Sequence, residues 1–280
     1  MKRMRLYVVV VVLSALGAWA ASANADPSVL PLCNGPETLI SGNYGNLTIT
    51  GNRGVSNTGT LRVWGNLRIA PGACLDAFSM GSVSVRGNVL VGPGAIFALG
   101  CALDAVGPPP PPSPCTASTN DVVGRNIVAI DPWTMYLTAD AVRGNVVSIG
   151  GGPGPTLDPY VNFPIKDMAI GGNLIVQKWQ GAWFGALRNR VSGNMIVNNV
   201  TGVDIGEFGP DSNEVNTNTV SGNLACFDNS PAIQFGDSGG APNVVSGRAF
   251  GQCAFGIYLP DLNYPGGSPQ PISVKAPRTR

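Results

Sequence analysis

One heptapeptide returns along this chain: apolar, any residue, Gly, Asn, apolar, any residue, apolar. It reads V-W-G-N-L-R-I over Val63–Ile69 and V-R-G-N-V-L-V over Val85–Val91. It returns as I-G-G-N-L-I-V over Ile170–Val176, V-S-G-N-M-I-V over Val191–Val197 and V-S-G-N-L-A-C over Val220–Cys226. Partial copies surround Gly45-Asn46, Arg125-Asn126 and Gly144-Asn145, and a degenerate one ends at Gly247-Arg248. Successive bends lie about 20 to 29 residues apart, except across a Pro-rich segment. A fixed period of this length is the mark of a solenoid, in which no single repeat can bury its apolar face alone.

Alternation of apolar and other residues makes a strand with one buried face. Gly-Asn breaks that strand with the two residues that accept positive φ most readily. Pro71-Gly72 and Pro93-Gly94 follow two of the copies and suit the central positions of a type II turn. Strand, bend, strand and turn then form one coil. Stacked coils pair each strand with its equivalent about 4.8 Å away, and Asn side chains at equivalent bends are placed to form a ladder. The expected fold is all-β, a single-stranded, right-handed parallel β-helix. A β-sandwich with Asn-Gly hairpins is the competing architecture, but hairpins do not demand the same heptapeptide each time.

The repeat resembles the parallel β-helix class that houses pectate lyases and phage tailspikes. More closely, it is similar to a group of secreted proteins from high-G+C Gram-positive bacteria that repeat G-G-N-V. Their closing stretch is similar to Asn229–Cys253, N-S-P-A-I-Q-F-G-D-S-G-G-A-P-N-V-V-S-G-R-A-F-G-Q-C. The resemblance covers most of the chain and implies the fold and export, with no activity attached.

The N-terminus reads as an export signal. Lys2, Arg3 and Arg5 precede an uncharged apolar run from Leu6 to Ala20, and Ala23 and Ala25 stand in A-x-A spacing. The expected boundaries are a signal peptide over 1–25, a β-helix over 26–259 with a Pro-rich loop at 107–115, and a mobile Pro/Gly-rich tail over 260–280. No second apolar segment follows, so no membrane anchor is expected in the mature chain. Of 17 basic and 16 acidic residues, three basic ones lie in the signal. The remainder is 14 against 16, or −2, which is no footprint for nucleic acid.

Six cysteines follow the signal: Cys33, Cys74, Cys101, Cys115, Cys226 and Cys253. An even number in an exported chain points to disulfides. Aligning the copies at Gly222 and Gly247 brings Cys226 and Cys253 onto adjacent coils, with a two-residue offset for a bulge to absorb. Cys101–Cys115 would tie the base of the Pro-rich loop, which leaves Cys33–Cys74.

No motif supplies a complete chemistry. Gly236-Asp237-Ser238-Gly239-Gly240 resembles the segment around the nucleophile of trypsin-like proteases, but the chain has no His to take the serine proton. The lysines left for a Ser-Lys variant are Lys166, Lys178 and Lys275. The Gly-His-Gly and paired-Asp signatures of polygalacturonases are absent. No cofactor is implied, and without His or C-x-x-C no zinc site is expected. Asp204, Glu207, Asp211 and Glu214 form the densest acidic cluster, a candidate for Ca²⁺ or for paired carboxylates, or simply a solvated loop. Trp179 and Trp183, with Arg188 just beyond, are the candidates for stacking on sugar rings. The functional expectation is a non-enzymatic extracellular spacer or surface-interaction module. A protein that binds or cleaves polysaccharide is the alternative, and an extracellular glycan or cell-surface component is the expected partner.

Overall fold

The computed structural model describes residues 32–101, 119, 121–154, 161–203, 212–235, 241–254 and 257–258. The expected signal peptide, Pro-rich loop and tail lie outside these, as do Ser238 and the acids Asp204, Glu207 and Asp211. All described residues belong to one compact unit, Pro31–Arg280.

The fold is a parallel β-helix. Among the described residues, three long sheets of ten, nine and nine strands run the length of the unit. Each coil contributes one strand to sheet A, then one to sheet B, then one to sheet C. Coil 2, for example, comprises Asn52–Gly54, Thr60–Val63 and Leu67–Ile69. Coil 5 comprises Thr134–Thr138, Ala141–Val142 and Val146–Ile149. Every pairing between coils is parallel and in register; in sheet B, Val63 faces Val85, which faces Val123, which faces Val142.

The heptapeptide therefore covers the strands of sheets B and C and the bend between them. The strand of sheet A was not part of the expected coil. Its outer face is itself largely covered, so the in-out alternation that marks sheets B and C is missing: Ile96–Gly100 is buried at all five positions. Inside, apolar side chains stack in columns. Leu67, Val89, Ile127, Val146, Leu174, Met195 and Leu224 occupy one position in successive coils and are almost fully buried. Burying a side chain of this size stabilises by roughly 1.5–3 kcal/mol.

The Asn ladder at the B–C bend is continuous from Asn46 to Asn223. Each coil's backbone N–H donates to the Asn Oδ1 of the coil before it: Asn66 to Asn46 at 2.8 Å, Asn145 to Asn126 at 2.8 Å, Asn223 to Asn194 at 2.8 Å. The glycine of the motif, however, is not there for positive φ. Gly65, Gly87, Gly144, Gly172, Gly193 and Gly222 are all absent from the left-handed region. They are needed for close approach: a Cβ on Gly172 would lie 2.4 Å from Asn145 Oδ1. Where Arg125 replaces the glycine, the rung from Asn126 N to Asn88 Oδ1 stretches to 3.2 Å. Positive φ falls instead at the turn leaving sheet C. Gly72 (φ 67) and Gly94 (φ 64) supply it, each closed by a turn hydrogen bond as expected of Pro-Gly.

Two disulfides staple the ends. Cys226, facing inward from sheet C, bonds Cys253. The two-residue offset is taken up by a 3-10 turn over Gln252–Ala254, not by a bulge. Cys33 bonds Cys74 on the outer side of sheet A, packed with Ile96 and half-buried Trp133. Cys101 is also disulfide-bonded; its expected partner Cys115 lies outside the described residues. Among the described residues, no helix is long and apolar enough to cross a membrane.

Candidate functional site

The residues singled out from the sequence do not form one surface. Trp179 is fully buried. It meets Phe163 edge-on at 5.3 Å and donates its Nε1–H to the Trp133 carbonyl at 3.2 Å. It is a core residue and offers no ring face to a sugar, because the short strand at Gln180–Gly181 folds it inward over Gly181. Trp183 lies on the outer face of sheet A, half-buried, with its ring over Gly185, where a Cβ would come within 2.0 Å of it. Its Nε1–H donates to Glu214 Oε1 at 3.0 Å, and Lys166 Nζ sits 5.0 Å from its centroid. Glu214 is buried and also accepts from Asn216 at 3.1 Å. Arg188 forks onto Asp167 through Nε and an Nη at 2.8 and 2.9 Å. The polar groups of this face are spent on one another. Among the described residues, no three metal-ligating side chains come together.

A different surface has the opposite character. On the outer face of sheet B, an open groove of about 410 Å³ is lined by Arg62, Trp64, Arg86, Arg125 and Arg143. All five side chains are exposed, and Trp64 is 60% exposed. Among the described residues, none that lines it is acidic. None of the four guanidiniums has an ion pair or hydrogen bond to a described residue. The floor is the strand backbone of coils 2 to 5, held by the pairs Arg62–Ser84 and Ser84–Val122. Those strands are fixed from behind by the Val63 column in the core. A guanidinium presents a rigid planar fork suited to carboxylate or phosphate oxygens. A flat exposed indole beside it offers a stacking face.

Behind the groove lies a pair of buried acids. Asp121 and Asp140 stand one coil apart at the A–B corner. Asp121 N–H donates to Asp140 Oδ1 at 2.9 Å, Thr119 donates to Asp140 at 2.9 Å, and Asp121 Oδ1 accepts from Val83 N–H. Asp121 Oδ2 makes no close hydrogen bond among the described residues, with Thr119 and the Gly100 backbone its nearest polar partners. Burial, and then the charge of Asp140, pushes the Asp121 carboxyl up to about 7. Both residues are buried, and neither lines the groove.

Comparison with protein-family models, curated proteins and solved structures gave no match.

The groove residues are not among those expected from the sequence, although the repeat carries their signal. The residue two before the ladder Asn is Tyr44, Trp64, Arg86, Gly124 and Arg143 in the early coils, and Gly171, Ser192 and Ser221 in the later ones, with Ser246 in the degenerate last copy. The position is variable within a fixed frame, and its large and charged members are clustered.

Proposed function

We propose that this chain is a secreted, non-enzymatic β-helix that acts as a surface-interaction module, binding an anionic extracellular glycan through the outer face of sheet B. The observation that carries the reading is the groove: four guanidiniums and an exposed indole with, among the described residues, no acid beside them. A structural spacer would have no need to leave them unpaired on one face. Two disulfides and the N-terminal signal pattern support an extracellular site of action, as does the resemblance to secreted repeat proteins. Cleavage of the same ligand would require two carboxylates reaching the groove. Among the described residues, Asp121 and Asp140 of the coils that carry the groove are buried and do not line it. A net charge of −2 on the mature chain argues against a nucleic acid as the partner.

The test is a glycan array on the mature chain, beside the double variant Arg86→Ser, Arg143→Ser. Serine is what later coils carry at this position, so the fold is expected to survive, as circular dichroism will verify. Acidic glycans should be retained selectively, and the double variant should bind about tenfold more weakly, taking roughly threefold for each exposed ion pair. Equal retention of neutral glycans, or unaltered binding by the folded double variant, would defeat the reading.

A further inference from the structure

The outer face of sheet C differs from that of sheet B: it is apolar. Strand pairing sets Leu90, Val128, Val147, Ile175, Ile196 and Ala225 side by side on coils 3 to 8. Two residues along the strand, Ile130 and Ile149 widen the patch on coils 4 and 5, and Phe227 does so on coil 8. Leu90, Ile130, Ile149, Phe227 and Phe250 are each 38% exposed or more. The outward residues of these strands carry no charge, and Arg68 stands beyond them on coil 2. Charge returns at the turn leaving the sheet, where Asp131 on coil 4 and Lys178 on coil 6 hold equivalent, exposed positions with positive φ. A contiguous exposed apolar patch of this length marks an interaction surface.

We propose that this face joins two copies of the chain, packed sheet on sheet with their solenoid axes antiparallel. Two aligned sheets pack about 10 Å apart, and a second copy brings the same strand spacing. The sheet has nine strands, four residues wide at coils 4 to 8. At about 4.8 Å per strand and about 3.3 Å per residue its area is roughly 560 Å² per copy. The pair buries about 1,100 Å², the low end for a specific interface, so the dimer is a micromolar one. A two-fold axis along the strand of coil 5 sets coil 4 on coil 6, coil 3 on coil 7 and coil 2 on coil 8. Ile149 then meets Ile149, Val128 meets Ile175 and Leu90 meets Ile196. The long Arg68 falls opposite Ala225, the smallest residue of the stripe. Asp131 of each copy faces Lys178 of the other, so two opposite-charge pairs flank the apolar centre. A parallel pairing sets each coil on itself, puts Arg68 against Arg68 and forms neither pair, so charge selects the antiparallel one. A lipid surface would call for basic residues along the rim of the patch, and here an acid, Asp131, shares that rim. The inference is independent of the groove on sheet B.

Sedimentation velocity of the mature chain from about 1 to about 200 μM, the range for an interface of this size, should show a reversible monomer–dimer equilibrium. Ile149→Lys places two like charges on the two-fold axis and should weaken the dimer on the order of 100-fold. The side chain faces solvent in a single copy, so circular dichroism and the thermal melt should match the wild type; Ile130→Lys is the second variant should the first not fold. Asp131→Lys and Lys178→Asp each place at one turn the residue that the other already carries. Singly, each should weaken the dimer several-fold; together they should restore it. A chain that stays monomeric over the whole range, or a dimer unaltered by a folded lysine variant, would overturn the interface. A monomer that floats with phosphatidylcholine vesicles would give the patch to lipid instead. A double charge exchange that fails to restore the dimer would overturn the antiparallel pairing.

Discussion

On the outer face of sheet A in coils 6 to 8, charged groups meet polar partners, although Arg190 on sheet B stays exposed like the arginines of the groove. Arg188 grips Asp167, and Glu214 holds the Trp183 indole with Lys166 above the ring. In coils 1 to 5 acid lies beside acid. Asp121 neighbours Asp140, and Glu37 is pushed up to about 7 by burial and by Asp76. The arginines of the same coils stand bare on another face. The two halves share one backbone frame, so the difference lies in which side chains the frame carries. Acids and bases are paired at the outer face of sheet A in the later coils and segregated in the earlier ones, on the face proposed to bind a ligand. A guanidinium neutralised by a neighbouring carboxylate is a poor contact for a ligand's carboxylate, so segregation keeps the arginines available. Departures from local consistency cluster at functional sites for this reason.

The A–B corner makes the same point at higher resolution. In coils 7 to 9 it holds Asn189, Asn218 and Asn243. Asn189 and Asn218 each donate their backbone N–H to the next side-chain oxygen, at 2.9 and 3.0 Å. Each of the three Nδ2 groups also satisfies a carbonyl of sheet A: Ile165, Ala186 and Val215. In coils 4 and 5 the equivalent residues are Asp121 and Asp140. A carboxylate can accept in such a ladder but cannot donate, so this half keeps the hydrogen-bond acceptors and accumulates negative charge.

The largest expected effect tests whether the frame is indeed common to both halves. Gly87 and Gly222 lie in different halves, yet a Cβ on either would meet backbone carbonyl oxygen of the coil before, at 2.3 and 2.6 Å. Gly87→Ala and Gly222→Ala should each cost about 1–3 kcal/mol, the range for forcing volume into a packed site. Chemical denaturation of both variants checks this. A large cost at one and none at the other would mean that the halves are built differently, and the charge comparison would lose its common reference.

The next effect concerns the acids. The Asp121 carboxyl is raised to about 7 from a normal 3.8, so the folded state holds its proton more tightly than the unfolded chain. That contribution to stability is present at low pH and is lost as pH rises from about 4 to about 7. The slope is at most about 1.4 kcal/mol per pH unit for one group, and Glu37 adds a term of the same sign. The melting temperature should therefore fall between pH 5 and pH 8. Asp121→Asn supplies the residue that the later coils use at this corner, and should flatten part of that fall and stabilise the protein at pH 8. A variant with the wild-type pH dependence would show that Asp121 is not the group responsible.

Much of this was legible in the sequence, and the reasons are physical. Sheets B and C are half-exposed, so their strands alternate and their bend repeats; the heptapeptide and the Asn ladder follow directly. Cys226–Cys253 followed from the same alignment. Sheet A, covered on both sides over much of its length, has lost its alternation, and the chain between Gly100 and Asp121 or between Gly154 and Val161 gives no periodic sign of how coils connect. Trp179 is buried although it clusters with Trp183 along the chain, whereas Trp64, exposed on sheet B, has no aromatic neighbour in sequence to mark it. A solenoid gathers residues about one coil apart, and its sites are read down the repeat, not along it.

The smallest effect divides stability from binding at a single position. Arg125 occupies the place of the repeat's glycine, and its rung of the Asn ladder is the longest of those from Asn46 to Asn223, at 3.2 Å against 2.8 Å for most others. Arg125→Gly restores the consensus residue and removes the Cβ that holds the two coils apart. The gain should be a few tenths of a kcal/mol, because a shorter hydrogen bond is offset by the added freedom of glycine in the unfolded chain. The same change removes one of the four guanidiniums, and so should weaken binding of the acidic glycans proposed as ligands about threefold. In the later coils no such opposition exists, since Gly193 and Gly222 already fill the position. Thermal melts and titrations of the one variant settle the matter together. A loss of stability on Arg125→Gly would show that the arginine is held by contacts within the protein, and would remove it from the row of free cations that distinguishes the first half from the second.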